Sequence, residues 1–260
     1  MSYDVMQELN KLVGLTGIKQ RLEKMYKAAQ FDKTPLKPSH FIFVGNPGTG
    51  KTVVARLIGK IYHSLGVLPT SKVVEVSKAD LTSVIIGNTS KKTLEKCREA
   101  LGGVLLIDEA YMMGAGDDEC LVTILRFMEE YRDSVCVIFV GYKEPMEKFI
   151  QCTTGLIARI GKKNVIEFPD YSIDELMQIA VIMAKDKGLT LDESCLPKLQ
   201  NTLNNCINNA NGSFGNAREV RMIIDEAHEN LNARLFDVQE SGGSVSDADR
   251  TVLLDKDLKG

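Results

Sequence analysis

Eight consecutive residues, Gly45-Asn46-Pro47-Gly48-Thr49-Gly50-Lys51-Thr52, constrain this chain more than any other stretch. An apolar run, Phe41-Ile42-Phe43-Val44, comes before them, and a helical pattern through Val54, Leu57, Ile58 and Ile61 follows. Strand, glycine loop and helix in that order satisfy G-x-x-x-x-G-K-[ST], and the chemistry needs each residue type. Glycines let backbone N–H groups curl around phosphate oxygens, Lys51 neutralises the β and γ oxygens, and Thr52 offers its hydroxyl to Mg²⁺. The helix points its positive end at the same anion. The competing reading, an unrelated glycine turn, does not require a strand before it and a helix after it.

A second apolar run, Val104-Leu105-Leu106-Ile107, ends in Asp108-Glu109. Two carboxylates at the carboxyl end of a buried parallel strand lie where ligands of such sheets bind. Asp108 suits Mg²⁺ held through its water shell. Glu109 is placed to polarise a water for attack on a γ-phosphate. The plainer alternative is a helix N-cap with an acid in the first turn.

Between these motifs, short apolar runs alternate with helical patterns. Strands are expected at Val73–Val76, Val104–Ile107, Val135–Val140 and Val165–Phe168, and helices at Lys91–Leu101, Glu119–Tyr131 and Glu144–Ile150. An earlier helix carries Ile18, Leu22, Met25, Tyr26 and Ala29 on one stripe, with Thr16 as its expected N-cap. This βα alternation with fully apolar strands predicts an α/β fold, a P-loop core whose parallel sheet is flanked by helices. The pattern changes at Pro169. Ser172 and Glu175 form a capping box, and three helical stripes follow, through Leu176, Ile179, Ala180 and Met183, through Leu196, Leu199, Leu203 and Ile207, and through Val220, Ile223, Ile224, Ala227, Leu231 and Leu235. The expected domains are a nucleotide-binding core over 1–170, a small all-helical domain over 171–237, and a polar tail over 238–260 with a flexible stretch at 241–244.

Composition narrows the class. The 260 residues are 44% hydrophobic and 26% charged with a formal net charge of −3, which excludes global disorder and argues against a binder held to nucleic acid by a broad basic face, a local groove staying open. No apolar run reaches the ~20 residues of a membrane span, and Met1-Ser2-Tyr3-Asp4 lacks a secretory layout. No two of the six cysteines have C-x-x-C spacing, so reduced thiols in a cytoplasmic protein are expected.

The loop together with Leu106-Ile107-Asp108-Glu109-Ala110 resembles the AAA+ ATPases. The resemblance is to the branch that contains the red-type rubisco activase CbbX, stage V sporulation protein K and the EccA ATPases of type VII secretion. It extends from Leu12 to Leu235 through Gly102-Gly103-Val104-Leu105, Val140-Gly141-Tyr142, Phe168-Pro169-Asp170-Tyr171-Ser172 and Gly215-Asn216-Ala217-Arg218. It implies an AAA+ module whose helical domain is a lid, with Gly45–Thr52 as Walker A and Asp108-Glu109 as Walker B. Leu12 and Val13 look like the adenine-pocket segment, and Tyr142 falls at the first sensor. Arg159 is similar to the arginine finger that enters a neighbouring subunit's site, and Arg218 matches the second sensor. The local alternatives are a solvated Arg159 before a strand, a merely packed Tyr142, and an Arg218 paired with Glu219 or Asp225, with Arg221 as a competing sensor. Asp80 to Thr89 resembles the pore-loop segment, with Ile85, Ile86 and Gly87 at its tip. The branch usually has an aromatic where Ile85 stands, to grip a substrate chain, and the branched aliphatic in its place favours gentle pulling or scaffolding over processive threading.

The resemblance implies a Mg²⁺-dependent, ATP-hydrolysing, chaperone-like ring, a homo-hexamer that remodels a partner protein. Its catalytic residues would be Lys51, Glu109, Arg159 and Arg218. A nucleotide-gated scaffold with little turnover is the alternative. A P-loop small-molecule kinase is a third, and the Asp108-Glu109 pair and the helical second domain count against it.

Overall fold

The computed structural model describes residues 2–31, 36–114, 118–153, 155–210 and 212–259. The chain divides into two compact units, one of residues 1–45 and 50–169, the other of residues 46–49 and 170–260.

The first unit opens with two helices, α1 (Ser2–Lys11) and α2 (Thr16–Phe31). Leu15 precedes α2 with φ 53, and its carbonyl accepts from Lys19 N at 2.9 Å. The cap position therefore belongs to Leu15, and Thr16, expected to cap, is the first helical residue. β1 (Phe41–Gly45) leads to α3 (Lys51–Ser64), then β2 (Val73–Val76), the single turn α4 (Lys78–Leu81) and α5 (Thr89–Glu99). β3 (Val104–Ile107), α6 (Glu119–Glu130), β4 (Cys136–Gly141), α7 (Lys143–Cys152), α8 (Leu156–Ile160) and β5 (Val165–Phe168) complete the unit.

Among the described residues these strands form one five-stranded parallel sheet in the order β2-β3-β4-β1-β5. β1, β3 and β4 are buried at every position, as helices on both faces of a parallel sheet require. On one face Ile42, Leu105, Val137 and Phe139 pack with Leu121, Ile124 and Phe127 of α6. Losing one such aromatic costs about 3–5 kcal/mol. The register pairs Val44 with Gly141, Gly45 with Phe168 and Ile107 with Phe139, so Gly45, Asp108 and Tyr142 leave the sheet at the same edge.

The second unit contains α9 (Ile173–Asp186), β6 (Thr190–Leu191), α10 (Cys195–Asn209), α11 (Ala217–Glu240) and β7 (Val252–Leu253). The Ser172–Glu175 capping box is formed, with Glu175 N donating to Ser172 Oγ at 3.3 Å and Ser172 N to Glu175 Oε2 at 2.7 Å. The expected helical character holds, with one addition and one correction. A two-residue parallel pair, β6 with β7, joins the helices. The polar tail is not a tail beyond residue 251, because Leu253 and Leu258 are buried and Asp257 is 1% exposed. Arg234 holds the Asp257 carboxylate with two bonds, at 2.7 and 2.8 Å, and Asn230 Nδ2 donates to its carbonyl. Two leucines and one ion pair outweigh a polar average that hid them.

Candidate functional site

In the first unit the site begins where β1 ends. Gly45 has φ 154, and a Cβ there would lie 2.4 Å from the carbonyl oxygen of Phe168 on the adjacent strand. Only glycine fits this turn out of the sheet. Lys51 opens α3 and its Nζ donates to Gly45 O at 2.9 Å, so the ammonium lies over the loop it follows. Thr52 is in the first turn of the same helix.

Asp108 and Glu109 leave β3 at the same edge. Asp108 N donates to Val76 O at 2.8 Å, and Asp108 Oδ1 accepts from Glu109 N at 2.9 Å. Glu109 is left-handed, φ 47 and ψ 44, a conformation that costs a non-glycine residue about 1–2 kcal/mol. It precedes a 3-10 turn, Ala110–Met113, and caps no α-helix with its side chain, so the N-cap alternative is not what the pair does. The Tyr111 hydroxyl donates to Glu109 Oε1 at 3.3 Å, and the Tyr111 and Tyr142 rings lie 5.9 Å apart. Burial, and then the neighbouring Glu109 carboxylate, push the Tyr111 hydroxyl up to about 12, so it is a donor at neutral pH. Tyr142 stands at the N-cap of α7 and packs against Tyr111.

The remaining residues singled out in the first unit lie elsewhere on it. Leu12 and Val13 are half-buried in the turn between α1 and α2, where Leu12 O accepts from Lys19 Nζ. Arg159 lies on α8, followed by a 3-10 turn before β5. It is about one-third exposed and bound within its own chain, Nη1 donating to Gly155 O at 3.2 Å and Nε lying 3.6 Å from Glu129 Oε2. Ile85, Ile86 and Gly87 sit in the loop between α4 and α5. Val84 and Ile86 are fully exposed there and Ile85 is 62% exposed.

In the second unit residues 46–49 pack against 170–171 and 214–218. Gly48 has φ 71, and a Cβ there would lie 2.2 Å from Gly215 O. Asn46 Nδ2 donates to both oxygens of Asp170 at 3.0 Å, and Thr49 Oγ1 donates to Asn46 O at 2.8 Å. Asn216 is 0% exposed and precedes α11 with φ 50 and ψ −125, a conformation held at a cost of about 1–3 kcal/mol. Arg218, in the first turn of α11, donates its N–H to Gly215 O at 2.9 Å. Among the described residues neither Arg218 nor Arg221 forms an ion pair with Glu219 or Asp225, and Asp225 pairs with Lys187 at 2.7 Å.

The donors present suit the expected ligands. Thr52 and Asp108 supply hard oxygens, and two protein ligands are enough for Mg²⁺, which keeps several waters. The close approaches at Gly45 and Gly48 exclude a side chain at both positions, as a loop that presents backbone to an anion requires. Among the described residues no three His, Cys, Asp or Glu cluster as a metal site, and no helix is long and apolar enough to cross a membrane. All six cysteines are free thiols, four of them buried.

Sequence reasoning assigned no role to Tyr111, Asp170, Tyr171 or Asn216. Asp170, Tyr171 and Asn216 lie within the phrases that carry the family resemblance, but their contacts join segments 45 or more residues apart, and Tyr111 bonds Glu109 at a two-residue spacing that marks no motif.

Comparison with known proteins agrees with this architecture. The family model described as "ATPase family associated with various cellular activities (AAA)" matches residues 41–165, and that of the AAA lid domain matches 172–260. The chain is 34% identical to the chloroplastic ribulose bisphosphate carboxylase/oxygenase activase of Cyanidioschyzon merolae, over 98% of this chain and 88% of that one. It is also 34% identical to stage V sporulation protein K of Bacillus subtilis, over 86% of this chain and 73% of that one. In fold it is similar to the FIGL-1 AAA domain, with a TM-score of 0.64 and 16% identity over 95% of this chain and 80% of that one.

Proposed function

Because the chain belongs to the AAA family of ATPases, as its relatives of about one-third identity show, we propose that it hydrolyses ATP with Mg²⁺ and uses the energy to remodel a partner protein. In this reading it acts as a homo-oligomeric ring of six in the cytoplasm. An activase and a sporulation protein among its relatives support action on a protein.

The proposal assigns each residue a task. Backbone N–H groups of the loop from Gly45 to Thr52 receive the phosphates, and Lys51 carries the compensating charge. Leu12 and Val13 flank the adenine. Thr52 and Asp108 hold Mg²⁺, largely through water, and the ion neutralises charge on the β and γ oxygens when bound. Glu109 accepts a proton from the attacking water, and Tyr111 aims its carboxylate. Tyr142 stands beside that pair at the sensor position. Arg159 stabilises transition-state charge in the neighbouring subunit's site, and Arg218 reads the phosphate from the lid. The loop with Ile85, Ile86 and Gly87, to which Val84 adds a third exposed apolar side chain, contacts the protein substrate.

The observation that carries this reading is Glu109 itself. A carboxylate beside the metal-supporting acid, held in a left-handed backbone and bonded by Tyr111, serves hydrolysis and not transfer to a bound acceptor. Glu109→Gln tests it. The variant should bind ATP as the wild type does and release phosphate at least about a hundredfold more slowly. Unchanged phosphate release would remove Glu109 from the mechanism.

A scaffold gated by nucleotide, with little turnover, is the second reading. The contact of Arg159 with Glu129 of its own chain favours it, because an engaged guanidinium is withheld from a neighbour. Phosphate release below one per hour by the assembled wild type, with ATP bound, would select it.

A further inference from the structure

We propose that Asn216 is a positioning residue that sets the phosphate loop in its anion-receiving orientation by gripping the loop from its carbonyl side. This rests on the ATP-binding reading above and concerns how the site is built.

The loop segment 46–49 and Asn216 belong to the same compact unit. Asn216 Nδ2 has three acceptors around it, Asp170 Oδ1 at 2.7 Å, Phe214 O at 3.0 Å and Pro47 O at 3.2 Å, while Oδ1 accepts from Tyr171 N at 2.8 Å. An amide offers two N–H bonds, so its donor capacity is fully used among these acceptors. Two further carbonyls of the loop face the same side. Gly48 O accepts from Ala217 N at 3.3 Å and Thr49 O from the Tyr171 hydroxyl at 3.4 Å.

A trans peptide holds its N–H antiparallel to its C=O. No described peptide is cis. With the carbonyls of Pro47, Gly48 and Thr49 turned toward Asn216, Ala217 and Tyr171, the N–H groups of Gly48, Thr49 and Gly50 are turned the opposite way. Successive N–H groups aimed to one side form the concavity that binds anions. The orientation of the cradle is thus decided from behind, by residues about 120–170 positions further along the chain.

Asn216 bears a second mark of this role. It is the non-glycine residue with φ 50 and ψ −125 directly before α11. Glycine would adopt that backbone freely. The position keeps asparagine instead, fully buried, and the side chain makes the bonds just described. The Asp170 carboxylate draws both amides together, taking Asn46 Nδ2 on both oxygens and Asn216 Nδ2 on Oδ1.

Two variants of the full chain separate the side chain's role from the backbone's. Asn216→Gly keeps the unusual φ and removes the amide. Asp170→Ala removes the exposed carboxylate that orients both amides. ADP titrated calorimetrically with Mg²⁺, well below each variant's melting temperature, should bind at least tenfold more weakly to Asn216→Gly and three- to tenfold more weakly to Asp170→Ala. ATPase assays should raise KM by similar factors with kcat within about threefold, since the loop acts on binding of the ground state and transition state alike. An Asn216→Gly protein that binds ADP within twofold of the wild type overturns the proposal, because the amide then has only the backbone to serve. If Asn216→Gly does not fold, Asp170→Ala binding within twofold of the wild type overturns it equally. A wild type that takes up no ADP overturns the nucleotide reading itself, an outcome distinct from the other two.

Discussion

The hydroxyl of Tyr111 reaches back two residues to donate a 3.3 Å hydrogen bond to the carboxylate of Glu109. This contact exists because Glu109 turns left-handed at the end of β3, which folds the next residues into a 3-10 turn rather than an α-helix. A base proposed to aim at one water gains from having one rotamer.

Tyr111→Phe keeps the ring against Tyr142 and removes the donor. Turnover should fall about fivefold, the kinetic equivalent of roughly 1 kcal/mol for one partly exposed hydrogen bond. ATP affinity should not change. Steady-state phosphate release beside equilibrium binding reads both, and unaltered turnover would mean that the hydroxyl does not orient the base.

Arg159 and Glu109 belong, in the proposed ring, to complementary halves of one site in adjoining subunits. Arg159→Ala and Glu109→Gln should each be inactive alone. Mixed in equal amounts and reassembled, they should recover activity in about a quarter of the sites, those with an intact base on one side and an intact finger on the other. No recovery in a mixture shown to co-assemble would place both residues in a single subunit's site or remove Arg159 from it.

His40 supplies a pH dependence of stability. It is buried, its Nδ1 accepts from Val137 N at 3.1 Å, and burial lowers its pKa from 6.5 to about 4 against the opposing pull of Glu129. Between those values the unfolded chain binds the proton and the folded chain does not. Stability is therefore full above about pH 6.5 and falls toward pH 4, by about 3 kcal/mol from this residue. Chemical denaturation across that range should show the slope, and His40→Gln should flatten it.

The Arg234–Asp257 pair should govern the end of the chain. Asp257→Ala leaves the partly buried guanidinium without its carboxylate and should cost about 3 kcal/mol. Limited proteolysis should then cut near residues 241–250 and release the segment that carries β7. A variant as resistant as the wild type would show that Leu253 and Leu258 hold the segment by themselves.

The strands were legible because the central ones, covered on both faces, read as unbroken apolar runs, and the edge strands β2 and β5 as short runs interrupted once, at Glu75 and Glu167; β2, β3 and β5 fall on the expected residues. α8 was not legible, since five residues with Arg159 among them carry too little periodicity to separate a helix from a loop. The same holds for α4, a single turn closed by a local capping box between Ser77 and Asp80.

Local chemistry written in consecutive residues determined the glycine loop with Lys51 and Thr52, the Asp108-Glu109 pair, the parallel core and the helical second unit. Such features depend on spacing within a few positions, which a sequence displays directly. The grip of Asn216 on Pro47, the bond from Tyr111, the engagement of Arg159 by Glu129 and the burial of Asp257 were decided only by tertiary structure. Each is a directional contact of a polar group, in most cases with a residue remote in the chain. Its worth depends on distances and desolvation that exist only once the chain has folded.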